Sequence, residues 1–304
     1  MNNYNLITIL GPTACGKTHL ATQLAYQLKS PIISADSRQV YRGMDIGTGK
    51  DLSEFIVDNF SIPYYLIDIA NAGEKYNLFE YQRDFVKVFQ SLSGNTIPIL
   101  CGGTGLYIEA VLKNYQLQET PINKELRKDL ETMTDQQLVE KLVSLKKLHN
   151  TSDSDTRKRL VRAIEIEMYQ QQHPHIEWNT PIINSLIVGV EIDRDFRREL
   201  ITKRLHQRLE DGMVDEVRQL LESGIEADDL IYYGLEYKFI TQFLTGQISY
   251  DYMCEHLNIA IHQFAKRQMT WFRKMERDGF EINWLRWGMS LEEKLDKIRY
   301  LLTK

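Results

Sequence analysis

Gly11-Pro12-Thr13-Ala14-Cys15-Gly16-Lys17-Thr18 follows directly on the apolar run Leu6-Ile7-Thr8-Ile9-Leu10 and precedes Leu20, Leu24 and Leu28, which recur every fourth residue. A strand, a glycine-bearing turn and a helix, in that order, form the setting in which the pattern G-x-x-x-x-G-K-[ST] holds phosphates. The glycines let the backbone bend until successive N–H groups point inward, Lys17 adds a point charge, and Thr18 can offer its hydroxyl to Mg²⁺. The stretch therefore predicts a binding site for a diphosphate or larger polyphosphate.

Outward from that loop, short apolar runs alternate with helical patterns. Pro31 to Ser34, Tyr64 to Ile69 and Ile97 to Cys101 read as buried strands, and Leu78, Tyr81, Phe85, Val88 and Leu92 form an amphipathic stripe. That alternation predicts an α/β fold: a parallel sheet with helices on its faces. A further strand, Ser185 to Val190, comes only after a long interval. In that interval Leu138, Leu142, Leu145 and Leu148 make one helical stripe and Leu160, Ala163, Ile164 and Met168 another. The expected organisation is a core of residues 1–114 and 185–304, with a helical C-terminal part, interrupted by a helical insertion over 115–184.

The chain has 304 residues, enough for a large core with an inserted subdomain, and a formal net charge of −5, so no global basic field attracts nucleic acid. Cys15, Cys101 and Cys254 are widely spaced, which suits a reducing cytosol and gives neither a disulfide framework nor a zinc spacing. Met1 to Asn5 is expected to run straight into the first strand, and no stretch approaches the ~18 apolar residues of a membrane span. A soluble cytoplasmic protein is the expectation.

Ligands of open parallel sheets sit at the carboxyl ends of the strands. Asp36, just past the second strand, is a candidate general base or Mg²⁺ partner, and Asp68 resembles the aspartate that ends a strand beside a nucleotide-bound Mg²⁺. Gly102, Gly103 and Gly105 permit either close approach to a ligand or a tight turn. Basic residues cluster at Arg157, Lys158, Arg159 and Arg162, at Arg194, Arg197 and Arg198, and at Lys266, Arg267, Arg273 and Lys274 around Trp271 and Phe272. Such groups either follow a nucleic-acid backbone or form solvated helix faces laced with ion pairs. His173-Pro174-His175 reads as a surface loop rather than a metal site.

Four motifs together resemble one family. They are the loop Gly11 to Thr18, the stretch Ile33-Ser34-Ala35-Asp36-Ser37-Arg38-Gln39-Val40-Tyr41-Arg42-Gly43-Met44-Asp45-Ile46-Gly47-Thr48, the turn Gly102-Gly103-Thr104-Gly105-Leu106-Tyr107-Ile108, and Ala265-Lys266-Arg267-Gln268-Met269-Thr270-Trp271-Phe272-Arg273. In order and spacing they are similar to the motif series of bacterial tRNA dimethylallyltransferases. The resemblance implies a P-loop NTPase-like core with an inserted all-helical, tRNA-binding subdomain. It implies transfer of a dimethylallyl group from dimethylallyl diphosphate to the exocyclic amine of the adenosine immediately 3′ of the tRNA anticodon, with Mg²⁺ as cofactor, by a monomer. By position, Gly11, Pro12, Thr13, Ala14, Cys15, Gly16, Lys17 and Thr18 would hold the diphosphate, with Thr13 and Lys17 as direct ligands and Thr18 toward Mg²⁺. Arg218 would be a further diphosphate ligand, and Asp36 would accept a hydrogen bond and then the proton from the amine. Asp36, Ser37, Arg38, Gln39, Thr104, the run Lys158, Arg159, Leu160, Val161 and Arg162, and Tyr233, Tyr237 and Lys238 would contact tRNA. Two stretches depart from the family pattern: Glu236-Tyr237-Lys238 stands where Gly-Tyr-[KR] is usual, and Ser152-Asp153-Ser154-Asp155 replaces an Asp-Pro pair.

Two other readings of the residues remain open at this point. A P-loop small-molecule kinase would use Lys17 and Thr18 on ATP and Asp36 on a hydroxyl acceptor. A nucleotide-dependent RNA-binding switch would use the same loop without turnover.

Overall fold

The computed structural model describes residues 4–92, 94, 96–146, 156–173 and 180–304. Its main sheet has six parallel strands: β1 (Leu6–Leu10), β2 (Ile32–Ser34), β3 (Tyr64–Tyr65), β4 (Ile99–Gly102), β5 (Ser185–Val190) and β6 (Asn283–Leu285), in the order β6-β5-β1-β4-β2-β3. β1 is central, with Ile9 opposite Cys101 on one side and Val188 on the other, and all five of its residues are buried. Burial on both faces is why these strands read as continuous apolar runs rather than alternating ones. The chain therefore has the parallel sheet that the alternation of runs predicts, in the P-loop NTPase-like arrangement that the resemblance implies.

Two strands differ from expectation. Of Tyr64 to Ile69 only the first two residues pair with β2, because Leu66 (φ 61°) and Asp68 (φ 55°) turn into the left-handed region, which a strand cannot include. Asp68 N–H then donates to the Gln39 carbonyl at 3.1 Å, and Ala70–Asn71 forms a separate short ladder with Tyr41–Arg42. β6, a three-residue edge strand on β5, carries too little pattern to be read from sequence.

One face of the sheet is covered by α1 (Lys17–Leu28) and α12 (Leu291–Thr303) through Leu20, Leu24, Leu295 and Ile298. The other face is covered by α2 (Leu78–Ser91), α3 (Gly105–Leu112) and α11 (Tyr250–Arg277) through Tyr81, Phe85, Ile108 and Phe272. A third apolar cluster joins α7 (Arg194–Glu210), α8 (Met213–Glu222), α9 (Ala227–Tyr232) and α10 (Leu235–Leu244) to α11 and to Val40, Tyr41 and Met44. Among the described residues no helix is long and apolar enough to cross a membrane.

The chain divides into two compact units, residues 1–114 with 180–304, and residues 115–179. Residues 180–184, expected in the insertion, belong to the larger unit because Asn5 Nδ2 donates to the Ile182 carbonyl (2.7 Å) and Asn184 N–H to Asn5 Oδ1 (2.8 Å). The smaller unit contains α4 (Lys124–Glu131), α5 (Asp135–Leu145) and α6 (Arg157–Gln172) around its own core of Leu130, Leu138, Leu142, Leu160 and Ile164. Leu148, Ser152 to Asp155, and Pro174 and His175 lie outside the described residues.

Candidate functional site

The loop between β1 and α1 owes its path to residues in the left-handed region, Ala14 (φ 63°) and Gly16 (φ 79°). α1 begins at Lys17, so the unpaired N–H groups of its first turn are presented to the loop, the arrangement that favours an anion. Gly11 has no room for a side chain, since a Cβ there would lie 2.6 Å from Cys15 Sγ. The Lys17 ammonium donates to the Pro12 carbonyl at 3.4 Å, a long bond that leaves its charge available to a ligand.

Three strand ends meet at this loop. After β2, Asp36 Oδ1 accepts from Arg38 N–H (2.9 Å) and Ser34 Oγ accepts from Asp36 N–H (3.3 Å), so the aspartate is held in a local side-chain-to-backbone turn. After β4, Thr104 Oγ1 accepts from Ser37 N–H at 3.0 Å and joins the two loops. The close approach explains the glycines: a Cβ on Gly102 would meet Ala35 O at 2.2 Å, one on Gly103 would meet Gln268 Nε2 at 2.4 Å, and one on Gly105 would meet the Trp271 ring at 2.3 Å. Gln268, on α11, accepts from Thr13 N–H (2.8 Å) and donates to the Gly103 carbonyl (2.9 Å), so one side-chain amide ties the first loop to the fourth strand's loop.

Thr13, Lys17, Thr18, Asp36, Gln39 and Thr48 line one cleft, with Arg204 and Arg208 from α7. Sequence reading did not single out these two arginines, although their four-residue spacing puts them on one helical face. Glu54 lines an adjoining pocket beside Lys17, and burial pushes its carboxyl up. The loop Asp45 to Gly47 is pinned by Glu216 of α8, whose carboxylate accepts from the N–H groups of Asp45 (2.8 Å), Ile46 (2.7 Å) and Gly47 (3.0 Å) and from the Tyr237 hydroxyl (2.6 Å). Beside that loop the fully buried Lys50 ammonium pairs with Asp45 (2.6 Å) and Asp68 (2.5 Å). Asp68 is thus a structural counter-charge and does not line the cleft.

Other predicted contacts fall elsewhere. Tyr233 and Tyr237, expected at the nucleic acid, are core residues at 1% exposure. The Tyr233 hydroxyl donates to the Glu74 carbonyl and accepts from Gly73 N–H, while that of Tyr237 is taken by Glu216. Lys238 is exposed. In the smaller unit Leu160 is core and Val161 packs against that core. Arg162, with Arg127, neutralises the buried Glu165 carboxylate. Burial pushes the Glu165 carboxyl up, but those two guanidiniums and Asn123 N–H outweigh it and hold it below the usual range. Lys158 and Arg159 are the exposed members of the run. Arg218, on α8, pairs with Asp215 and is not among the residues lining the cleft.

Among the described residues no group of three or more His, Cys, Asp or Glu could hold a metal by itself. A hydroxyl at the first turn of α1 beside a phosphate cradle fits Mg²⁺, which takes one or two protein oxygens and completes its shell with water and substrate phosphates. Thr18 meets that description.

The sequence model of the IPP transferase family matches residues 39–275, and that described as isopentenyl transferase matches residues 4–62. A protein named tRNA dimethylallyltransferase 2 from Bacteroides fragilis is 56% identical over 303 residues, covering 99% of both chains. Another, tRNA dimethylallyltransferase 1 from Parabacteroides distasonis, is 57% identical over 297 residues, covering 97% of this chain and 96% of the relative. Among solved structures, the full-length tRNA isopentenylpyrophosphate transferase from Bacillus halodurans aligns with a TM-score of 0.72 at 29% identity over 99% of this chain and 96% of its own. A eukaryotic dimethylallyltransferase, at 20% identity, has the same fold with a TM-score of 0.72 over 93% of this chain and 74% of its own.

Gln268→Ala leaves Thr13 N–H and the Gly103 carbonyl without their partner, at a cost of about 2–4 kcal/mol. The expected result is a lowered thermal midpoint together with weaker binding of inorganic diphosphate. A midpoint and an affinity both equal to wild type would contradict the bridging role.

Proposed function

The chain belongs to the IPP transferase family, and from that premise we propose that it transfers a dimethylallyl group from dimethylallyl diphosphate to the exocyclic amine of the adenosine immediately 3′ of the anticodon in tRNA. The observation that carries the reading is the shared cleft, in which the phosphate-loop residues Thr13, Lys17 and Thr18 and the carboxylate of Asp36 line one wall-to-wall space. A phosphate cradle and a base within one cleft suit a reaction that expels diphosphate and removes a proton.

The donor's diphosphate lies against the loop N–H groups and Lys17, with Thr18 toward Mg²⁺, which when bound offsets the charge of the leaving group. The adenine amine is a poor nucleophile because its lone pair is delocalised into the ring. Asp36 orients it by accepting a hydrogen bond from N–H and takes the proton as the new bond forms. The bond from the allylic carbon to the diphosphate oxygen breaks, a carbon–nitrogen bond replaces it, and diphosphate leaves carrying the electron pair. The hydrogen bond from Arg38 N–H holds the Asp36 carboxylate while this happens. Ser37, Arg38, Gln39 and Thr104 surround Asp36 and receive the base, which must leave its stack at a cost of a few kcal/mol.

A kinase or a non-catalytic switch is not favoured, since the curated relatives named above are transferases acting on tRNA. The enzyme acts as a single chain in the cytoplasm, where its tRNA substrate is found. Incubating the protein with Mg²⁺, dimethylallyl diphosphate and unmodified tRNA, then weighing the digested nucleosides, should give adenosine heavier by one dimethylallyl group. ATP consumption without that product would overturn the reading.

Lys158 and Arg159, the exposed members of the run, are proposed to follow tRNA phosphates. Replacing Lys158 and Arg159 together by Ala should weaken tRNA binding and reduce the slope of log affinity against log salt by roughly one to two. An unchanged slope would return this face to ordinary solvated helix.

A further inference from the structure

Arg194, Arg197 and Arg198 open α7, Arg273 stands near the end of α11, and none of the four lines the phosphate cleft. The fold brings them to one edge of the sheet. β5 and β6 end side by side, with Leu285 opposite Val190 and Glu191 N–H donating to the Leu285 carbonyl at 3.0 Å, so the first turn of α7 and the residues after β6 leave the sheet together. α11 reaches the same strand: Glu276 accepts from Trp284 Nε1 at 2.8 Å, and Arg273, one turn earlier, shares that helical face. Arg286 follows β6 directly and adds a fifth guanidinium. Trp287 and Gly288 (φ 92°) then form the centre of a turn closed by Met289 N–H on the Arg286 carbonyl at 3.3 Å. The Trp287 ring lies against Phe196 of α7, with centroids 4.7 Å apart and planes inclined by 42°, and the two residues stay 47% and 41% exposed.

An ordinary solvated basic face carries ion pairs, as Arg157 does with Asp135 and Arg299 with Glu292. This edge does not. Asp195 stands within helical reach of Arg198 without pairing to it, and Asp193 is spent as the cap of α7, accepting from the N–H groups of Asp195 and Phe196 at 2.9 Å each. Among the described residues none of the five guanidiniums makes a hydrogen bond or an ion pair. Arg197 Nε is buried and has no partner, a costly state for a donor. Burial lowers the Arg197 guanidinium, and the like charges of Arg194 and Arg273 add to this. The edge thus concentrates uncompensated positive charge around two open aromatic rings, in a chain whose net charge is −5.

We propose that this edge is a second tRNA-binding surface outside the cleft, at which the Phe196–Trp287 pair stacks an unpaired base and Arg194, Arg197, Arg198, Arg273 and Arg286 meet the flanking phosphates. This rests on the tRNA-transfer reading. Guanidiniums supply paired donors to phosphate oxygens, and every base has a flat face for an aromatic ring. Neither contact reads sequence, so the surface adds affinity and fixes the orientation of the tRNA without choosing among tRNAs.

Fluorescence anisotropy with labelled, unmodified tRNA over a range of salt concentrations tests the surface. Trp287→Ala should weaken tRNA binding by about 5- to 100-fold, the range for one lost stacking contact, and Trp287→Phe should restore most of that affinity. Replacing Arg194, Arg198 and Arg286 together by Gln should reduce the slope of log affinity against log salt by roughly two to three. Affinity for inorganic diphosphate and the single-turnover rate of the preformed enzyme–tRNA complex should equal wild type in all of these variants, because none of the altered residues lines the cleft. Wild-type tRNA affinity and salt slope in the Trp287→Ala and triple-Gln variants, with the unaltered protein modifying adenosine normally, would overturn this inference alone. A dimer in sedimentation that Trp287→Ala dissociates, with tRNA affinity intact, would make the edge a contact between copies and overturn it as well. If the unaltered protein neither binds tRNA nor modifies its adenosine, the tRNA-transfer reading falls with it.

Discussion

The Gln268 amide is the contact on which the site most depends. It joins the phosphate loop after β1 to the glycine turn after β4 through one accepted and one donated hydrogen bond, and it comes from a helix near the other end of the chain. Gly103 must lack a side chain to admit it, just as Gly105 must lack one to admit Trp271. The third and fourth sequence motifs are thus two sides of one packing contact. Their shared purpose is to hold three strand ends close enough that a phosphate cradle and the Asp36 carboxylate share a cleft. A second clamp acts on the loop after β2, where the Glu216 carboxylate collects three successive N–H groups and the Tyr237 hydroxyl. That loop contributes Thr48 and Gly49 to the cleft wall.

Much of this was legible in the sequence because the patterns had physical causes. Strands buried on both faces read as apolar runs, and β5 appears over the residues expected, Ser185–Val190. The phosphate loop, Asp36 and Thr104 lie where strand ends put them. Other parts were hidden for equally physical reasons. Nothing in Tyr64 to Ile69 announces that Leu66 and Asp68 take left-handed conformations, since neither is glycine. Asp68 looks like a metal-facing aspartate until Lys50, eighteen positions earlier, is found buried against it. Tyr233 and Tyr237 lie in a stretch that resembles a nucleic-acid contact, yet their rings fill the core and their hydroxyls are spent on Glu74 and Glu216. Arg204 and Arg208 were missed because their helix precedes the cleft by no motif and only tertiary packing brings them to it.

The cleft gathers Lys17, Arg204 and Arg208 against Asp36, with Glu54 and Glu236 in adjoining walls. Within the cleft itself three cations face one carboxylate, a local positive excess in a protein whose net charge is −5, and this is the charge balance that the proposed departure of diphosphate calls for. Because the overall field is negative, the proposed nucleic-acid contacts rest on local exposed groups such as Lys158, Arg159 and Lys238.

The central claim is that Asp36 takes a proton from an acceptor amine in the cleft that holds the diphosphate. Asn keeps the shape of Asp and can accept a hydrogen bond but cannot take the proton. Single-turnover transfer by preformed enzyme–tRNA complex at saturating dimethylallyl diphosphate isolates that step. The account predicts that Asp36→Asn transfers roughly 10²- to 10⁴-fold more slowly than wild type, with affinities for tRNA and inorganic diphosphate little changed. Transfer at the wild-type rate would contradict it.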